Sequence, residues 1–133
     1  MKSHPLCIMV VDDEKVVLTA MRYLLESAGI RAVTFGDARS ALSAFQADPT
    51  QFDGIVTDLA MPSMSGAELA DQVSRLRPGF PVTILSGFLD DDRLGGVSTR
   101  EAVRTLSKPA SLSEILVAFK SLGLRIPPKG LAA

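Results

Sequence analysis

Three acidic side chains stand at or directly after the ends of apolar runs. Asp12 and Asp13 follow the run at residues 6–11, and Asp58 ends the run GIVTD at residues 54–58. Runs rich in β-branched residues and bounded by turn signals are typical of buried parallel strands, and ligands of open α/β sheets bind at the carboxyl ends of the strands. Three carboxylates at one rim repel one another, so they favour a bound cation. Mg²⁺ fits because it prefers oxygen ligands.

Two further strand ends supply a hydroxyl and an ammonium group. The run PVTIL leads to Ser86 and then Gly87, and the run AVRTLS is followed by Lys108 and Pro109. A metal, a carboxylate, a hydroxyl and an ammonium group are what phosphoryl transfer requires, because its catalysis is mostly positioning and charge neutralisation. Taken alone, each residue has an ordinary alternative. Asp58 could cap the loop after its strand, and Ser86 could bond its own turn.

Helical periodicity and capping signals separate these runs. Strands that alternate with helices predict a parallel sheet with helices on both faces. An apolar stripe at helical spacing predicts the first helix, with the packing residues Val17, Leu18, Met21, Leu24, Leu25 and Ala28. Asp37 is placed to cap the second helix. The pattern Ser-x-x-Glu, a capping box, predicts the starts of two later helices at Ser65 and Ser111.

The stretch between the fourth and fifth strands, residues 88–100, is a poor helix sequence. Within a helix, Gly95 and Gly96 each cost about 1 kcal/mol relative to alanine. We therefore expect a fourth helix that is short, frayed or displaced. The aspartates at residues 90–92 do not share one helix face, so we interpret them as a solvated helix start rather than a second metal site.

Composition limits the class of protein. A chain of 133 residues that is 47% hydrophobic and 22% charged suits one globular domain. The formal net charge of -1 gives no indication of nucleic acid or an anionic membrane as a partner. The only cysteine, Cys7, excludes an intramolecular disulfide, and no apolar run suits a signal peptide or a membrane span. A reducing cytoplasm is the expected location.

In their order along the chain, these segments resemble the receiver domain of two-component response regulators. The resemblance covers residues 6 to about 122 and rests on motifs in the family's order: Asp12-Asp13, DLAMP at 58–62 with Gly66 beyond it, Ser86-Gly87, and Lys108-Pro109. It implies a flavodoxin-like, doubly wound α/β fold with a five-stranded parallel sheet in the order 2-1-3-4-5 and about five flanking helices. Residues 1–5 would be an N-terminal extension and residues 123–133 a tail or linker of a single-domain regulator.

The resemblance also implies roles for the site residues. Asp58 would be the nucleophile that accepts a phosphoryl group as an acyl phosphate, and Lys108 would contact that group. Mg²⁺, or Mn²⁺ in its place, would be held by four ligands: Asp13 directly, Asp12 through water, Asp58, and the backbone carbonyl of Ala60. A histidine kinase or histidine phosphotransfer protein would be the donor, docking beside the first helix and the Lys108 loop. The chain would act on a downstream protein as a monomer or weak dimer.

Three positions concern the response to phosphorylation. Ser86 is expected to swing its hydroxyl onto the phosphoryl group and pull the following loop inward. The Lys108-Pro109 peptide bond is expected to be cis as in the family, against about 5–6% for an arbitrary X-Pro bond. Thr105 stands where the family usually carries an aromatic residue that reports the hydroxyl movement. We therefore predict intact phosphorylation chemistry with an atypical response at the fourth helix.

Three other functions fit parts of the pattern. An Asp-nucleophile phosphohydrolase usually needs a second aspartate two positions after the nucleophile, where Ala60 stands. We therefore expect no separate substrate turnover. A phosphorylation-independent interaction module with the same fold is the main alternative, and retention of every proposed site residue argues against it. A flavin carrier fits poorly because an acidic rim repels a phosphate group.

Overall fold

A parallel sheet with helices on both faces forms the core. The computed structural model describes residues 5–88, 91–96 and 101–126. The strands are β1 Cys7–Val11, β2 Arg31–Phe35, β3 Gly54–Asp58, β4 Val82–Ser86 and β5 Val103–Ser107. The α-helices in these ranges are α1 Lys15–Ser27, α2 Ala38–Ala47, α3 Gly66–Leu76 and α4 Leu112–Ser121. The strand order is β2-β1-β3-β4-β5 with every neighbouring pair parallel, which confirms the predicted doubly wound sheet.

Successive residues of the strands pack on opposite faces of the sheet. In β1, Ile8 and Val10 pack towards α1 and α4, whereas Met9 and Val11 pack towards α2 and α3. The strands β1, β3 and β4 are buried along their whole length. Burial on both faces explains why the sequence shows continuous apolar runs there instead of alternation. The edge strands β2 and β5 are only partly buried.

The predicted helix caps form as expected. The side chain of Asp37 accepts a hydrogen bond from Ser40 N at the start of α2. Complete capping boxes begin α3 at Ser65 and α4 at Ser111. Each cap is worth about 1 kcal/mol. The two boxes also fix the ends of the loops that leave β3 and β5.

The packing face of α1 is narrower than the sequence predicts. Leu18, Met21 and Leu25 are buried against the sheet, but Leu24 is 38% exposed. The prediction that Leu24 packs in the core is therefore wrong. Neighbouring helix residues are rotated by about 100° around the axis, so Leu24 turns away when Leu25 faces the sheet.

Between β4 and β5 the described chain contains a single turn of 3₁₀ helix, Asp92–Leu94. This fits the expectation of a short or irregular fourth helix, and the predicted final helix is α4. Residues 89–90 and 97–100 of the predicted helical stretch lie outside the described residues, as do residues 1–4 and 127–133 of the predicted extension and tail. Among the described helices, none combines the length and the apolar character needed to cross a lipid bilayer.

Candidate functional site

The carboxyl ends of four strands bring the predicted site residues to one edge of the sheet. Asp58 and Ser86 are the last residues of β3 and β4, Asp12 directly follows β1, and Lys108 directly follows β5. A backbone hydrogen bond of 2.8 Å from Lys108 N to Ser86 O joins the last two strand ends. Four segments distant in sequence therefore converge at the edge where doubly wound sheets bind ligands.

The three predicted acidic residues form one cluster. Asp12, Asp13 and Asp58 each place a carboxylate oxygen within 4.8 Å of the others. Asp12 and Asp58 are buried, at 4% and 5% exposure, whereas Asp13 is exposed. An all-oxygen set that is open on one side suits Mg²⁺, which keeps several water ligands and takes one or two carboxylates. These residues fit the predicted metal ion.

Burial raises the pKa of Asp12 above its ordinary value of 3.8, and the negative charges of Asp58 and Asp13 add to the rise. A hydrogen bond of 2.9 Å from Glu14 N to Asp12 Oδ1 and the charge of Lys108 act in the opposite direction. Ionisation of Asp12 in the folded protein therefore costs more free energy than ionisation of an exposed aspartate. A cation bound among the three carboxylates would offset that cost.

Lys108 pairs with the carboxylate of Asp58. Its Nζ forms an ion pair with Asp58 Oδ1, and the side chains are 40% and 6% exposed, respectively. Oδ1 is buried, and within the described part of the chain no hydrogen bond to it accompanies this ion pair. The ammonium group of Lys108 therefore offsets the charge of Asp58. The peptide bond between Lys108 and Pro109 is cis.

The hydroxyl of Ser86 bonds its own turn. Its Oγ donates to Phe88 O at 2.6 Å and accepts from Phe88 N at 3.1 Å. The sequence left this possibility open, because a serine at a strand end often bonds its own turn. Contact with a group on Asp58 would require the hydroxyl to leave Phe88. Thr105, which replaces the usual aromatic residue, lies half-buried on β5 opposite Ile84 of β4.

The backbone behind Asp58 is held by the start of α3. Gly66 N donates to Leu59 O at 2.9 Å, and Thr57 Oγ1 donates to Asp58 O at 3.0 Å. A Cβ atom at Gly66 would lie only 2.3 Å from Asp58 O. Glycine is therefore required because the helix approaches the strand end too closely for any side chain.

A cavity of about 240 Å³ opens beside Asp58. It is lined by Asp58, Leu59, Ala60, Ser86, Gly87, Phe88, Asp91, Arg93 and Lys108. Two of these residues, Asp91 and Arg93, received no site role from the sequence. Asp91 does begin a helical turn, since its side chain accepts from Arg93 N, but it also forms part of the cavity wall.

Asp91 and Arg93 form a paired contact at this wall. Arg93 Nε lies 3.0 Å from Asp91 Oδ1, and Arg93 Nη2 lies 2.7 Å from Asp91 Oδ2. The hydrogen bond from the Arg93 side chain is the main cause that lowers the pKa of Asp91 to about 2. The pKa of Arg93 is raised by Asp91 first and, to a smaller extent, by the charge of Asp58. Opposite charges two residues apart after an Asp turn were the only sequence signal for this contact.

Comparison with known proteins indicates the family to which the chain belongs. The family model for the response regulator receiver domain matches residues 8–120. The probable transcriptional regulatory protein TcrX of Mycobacterium tuberculosis is 31% identical over 121 residues, covering 90% of this chain and 50% of that protein. The transcriptional regulatory protein FixJ of Bradyrhizobium diazoefficiens is 32% identical over 108 residues, covering 81% of this chain and 50% of that protein. This chain thus spans about half the length of these curated relatives.

A solved structure gives the same result for the fold. The receiver domain protein from Clostridium thermocellum superposes with a TM-score of 0.80 at 27% identity, covering 88% of this chain and 93% of that one. Receiver domains generally bind Mg²⁺ at an acidic pocket and receive phosphoryl groups from histidine kinases. The match over most of the chain, together with the acidic cluster and Lys108 at the strand ends, shows that this chain belongs to the response regulator receiver domain family of two-component systems.

Proposed function

We propose that this chain is a phosphorelay receiver that accepts a phosphoryl group on Asp58 from a phosphohistidine of a donor protein. One observation carries the proposal. The buried Asp58 carboxylate faces Lys108 and lies within 4.8 Å of the Asp12 and Asp13 oxygens, at the mouth of a cavity. Such a site could bring an anionic donor to an anionic nucleophile, because Lys108 and a cation held by the carboxylates would offset the negative charge of both.

In the proposed step, a carboxylate oxygen of Asp58 attacks phosphorus in line with the donor's phosphorus–nitrogen bond. A new phosphorus–oxygen bond forms, the phosphorus–nitrogen bond breaks, and the electron pair returns to the imidazole ring, which takes up a proton. The product is an acyl phosphate on Asp58. Lys108 stabilises the charge of the transferring group as a compact cation.

Four oxygen groups are proposed to hold the metal: Asp13 directly, Asp12 through water, Asp58, and the backbone carbonyl of Ala60. A bound Mg²⁺, or Mn²⁺, supplies charge neutralisation for the transferring phosphoryl group. Asp12 supports this assignment because burial and two neighbouring carboxylates raise its pKa. Ionised Asp12 is therefore better tolerated when a cation is present.

Ser86 is proposed to report the modification. Its hydroxyl would exchange Phe88 O for a phosphoryl oxygen, which would draw the turn at residues 87–88 towards Asp58. The local bonds of Ser86 support this, because both of them join it to the segment that would move. Thr105 lacks a ring that could follow the movement, so we propose that the onward response differs from that of receivers with an aromatic residue there.

An apolar patch on α1 supports docking of the donor close to the site. Val16, Tyr23 and Leu24, the α1 patch, are 81%, 74% and 38% exposed. They border a shallow hollow of about 650 Å³ that Lys15, Thr19 and Ala20 complete. Helix α1 begins at Lys15, two residues after Asp13. A helical donor domain on this patch would have its histidine near the acidic rim, and exposed apolar patches of this kind mark protein-binding surfaces.

Several broader assignments belong to the same proposal. Receiver domains are signalling modules, and we propose that this chain modifies only itself and turns over no separate substrate. We assign the receiver to residues 6–122, with residues 1–5 as an extension and 123–133 as a tail or linker. We also propose a cytoplasmic location, action on a protein target without nucleic acid or membrane contact, and a monomeric or weakly dimeric state.

The test is phosphoryl incorporation from acetyl phosphate or a phosphorylated histidine kinase, followed by intact-protein mass. Wild type should gain one phosphoryl group only when Mg²⁺ is present, and Asp58→Asn should gain none. Asp13→Asn should lose most of the incorporation because a proposed direct metal ligand is absent. Asp37→Asn is the matched control, since it changes an exposed capping aspartate and asparagine also caps helices well.

Incorporation that persists in Asp58→Asn would contradict the assignment of the acceptor. A wild type that takes up no phosphoryl group from either donor would favour the phosphorylation-independent interaction module. Repeated hydrolysis of small phosphomonoesters by wild type would favour the phosphohydrolase.

A further inference from the structure

Arg93 stands at the wall between two cavities. Its side chain borders the cavity of about 240 Å³ beside Asp58. It also borders a second cavity of about 430 Å³, which is lined by Met64, Ala67, Glu68, Asp71, Gln72, Leu94 and Gly96. The second cavity lies between α3 and the turn Asp92–Leu94. A movement of this guanidinium group therefore changes both spaces.

Asp91 holds Arg93 in its present position. The carboxylate accepts from Arg93 N at 2.9 Å, from Nε at 3.0 Å and from Nη2 at 2.7 Å. The Arg93 side chain is 56% exposed, and within the described part of the chain its ion pair is with this carboxylate. The turn itself is anchored separately, because Leu94 is only 4% exposed. The side chain of Arg93 can thus change partner while the turn stays in place.

We propose that Arg93 is a second cationic ligand of the phosphoryl group, in addition to Lys108. Arg93 pairs with Asp91 until Asp58 is phosphorylated and then binds the phosphoryl group. This inference rests on the proposed phosphorylation of Asp58. It adds a residue between β4 and β5 that neither the sequence motifs nor the family match assigns to the site.

The change in charge on phosphorylation favours this exchange. In the present structure Asp58 carries one negative charge, and Lys108 already pairs with it. A phosphoryl group brings about −1.5 to −2 charges and three strong acceptor oxygens. A guanidinium group can bond two of these oxygens through its planar fork, which a single ammonium group cannot do. The phosphoryl group would therefore be the stronger acceptor of the two groups that line the same cavity as Arg93.

The hydrogen bonds of Phe88 couple this exchange to the proposed movement of Ser86. Phe88 O accepts from Ser86 Oγ at 2.6 Å and also from Asp91 N at 3.2 Å. When the Ser86 hydroxyl leaves, Phe88 O keeps the bond from Asp91 N, so this carbonyl is not left without a donor. The same turn therefore remains closed while Ser86 and Arg93 both turn towards Asp58.

The exchange of partners by Arg93 would also change the surface beside α3. This response would not need the aromatic residue that Thr105 replaces. If Arg93 turns to the phosphoryl group, it withdraws from the cavity beside α3. That cavity is then bordered by Glu68 and by Asp71, which pairs with Arg75 at 3.0 Å, and it has lost the charge of Arg93 from its lining. Phosphorylation would make this groove more acidic, and the charge at the groove would carry the signal.

The affinity of the protein for beryllofluoride, a stable phosphoryl mimic, tests the inference when it is measured by NMR titration with Mg²⁺. Arg93→Ala should bind the mimic about tenfold more weakly, the loss expected for one charge-assisted hydrogen-bonding partner. Arg93→Lys should fall between the two proteins. Asp91→Asn should bind several-fold more tightly, because it retains a capping side chain but releases the guanidinium group. Arg22→Ala is the matched control, since Arg22 is also paired with a carboxylate and is 58% exposed on α1.

The double variant Arg93→Ala with Asp91→Asn separates two causes of tighter binding. Removing the negative charge of Asp91 favours an anion even without Arg93. The proposal requires that most of the gain from Asp91→Asn disappears in the Arg93→Ala background, so that the two changes are strongly coupled.

Three results would overturn the inference while leaving the proposed function intact: equal binding by wild type and Arg93→Ala, weaker binding by both single variants, or additive effects in the double variant. Weaker binding by both would mean that the pair only maintains the turn. If wild type itself does not bind the mimic with Mg²⁺, the proposed function fails and the inference fails with it.

Discussion

Two regions border the cavity beside Asp58, and they hold their charged groups in opposite ways. The strand-end rim, which carries Asp12, Asp58 and Lys108, extends directly from strands that are mostly buried. The connecting turn, described at residues 87–88 and 91–96, contains one short 3₁₀ turn in those residues, and Phe88 is 73% exposed. The charged groups of the rim are positioned by the core, whereas those of the turn are held by local hydrogen bonds beside the buried Leu94.

The pKa values of one aspartate in each region are shifted in opposite directions. The pKa of Asp12 in the rim is raised, chiefly because burial disfavours its charge. The pKa of Asp91 in the turn is lowered to about 2, chiefly because Arg93 donates hydrogen bonds to it. The rim therefore holds negative charge that lacks a sufficient partner, which suits it to capture a cation. The turn holds charge that is already paired, which suits it to exchange partners.

Replacing one glycine by alanine in each region should give the largest difference between the two regions in the free energy of unfolding. Gly66→Ala should reduce the free energy of unfolding by about 1–3 kcal/mol, the range for overpacking, because its Cβ would lie 2.3 Å from Asp58 O. It should also impair phosphoryl incorporation, since the carbonyl it displaces belongs to the proposed acceptor residue. Urea unfolding and the incorporation assay measure the two effects.

Gly96→Ala is the control for that comparison. Among the described residues other than its chain neighbours, no heavy atom lies within 4 Å of a Cβ at Gly96, so the free energy of unfolding of Gly96→Ala should change by less than about 0.5 kcal/mol. If both substitutions proved equally mild, the rim would be as adaptable as the turn.

Removing the charge of Asp12 should stabilise the metal-free protein. Since the folded pKa of Asp12 is raised, the stability that this group contributes is fully present below pH 3.8 and is lost as pH rises through the folded pKa. Asp12→Asn should therefore raise the melting temperature at pH 7 in a chelator, and this gain should vanish below pH 3.8. Mg²⁺ should stabilise wild type more than the variant because binding to the folded state adds stability. A lower melting temperature for the variant in chelator would contradict this reading of the rim.

Strand ends were the part of the site that the sequence could predict. A continuous apolar run marks a strand buried on both faces, and the residue where the run stops is where the chain leaves the sheet. Asp12, Asp58, Ser86 and Lys108 were all found by this rule, and the structure brings them to one edge. Their chemical roles stay predictions until phosphorylation is measured.

The turn could not be predicted in the same way. Arg93 lines the cavity because residues 92–94 form a 3₁₀ turn with Leu94 buried. The spacing of apolar residues predicts α-helices and strands, but it does not indicate a single turn of this kind. Leu24 shows the same limit on α1. Apolar residues covered more of the helix surface than the sheet could contact, and which of them packs depends on the rotation of the helix.

Loss of a capping side chain should reduce the free energy of unfolding more beside the rim than in the turn. Ser65→Ala removes the cap of α3, the helix that supports Asp58 O, and should lower the free energy of unfolding by about 1 kcal/mol. Asp91→Ala removes the cap of the 3₁₀ turn and should lower it by less, because a single helical turn contains few backbone hydrogen bonds. Urea unfolding of both variants provides the measurement. A larger loss for Asp91→Ala would mean that the turn is part of the cooperative core.

The smallest expected effect concerns the charge of Asp91 alone. Because its folded pKa is lowered, the contribution of this carboxylate is present above pH 3.8 and is lost as pH falls through about 2. A carboxyl carbon NMR titration should therefore place the Asp91 pKa near 2 in wild type and return it towards 3.8 in Arg93→Ala. Arg22→Ala should leave it unchanged, since Arg22 pairs with Glu26 on α1. An Asp91 pKa that stays low without Arg93 would show that backbone donors hold this charge, and the turn would then lack the exchangeable pair that distinguishes it from the rim.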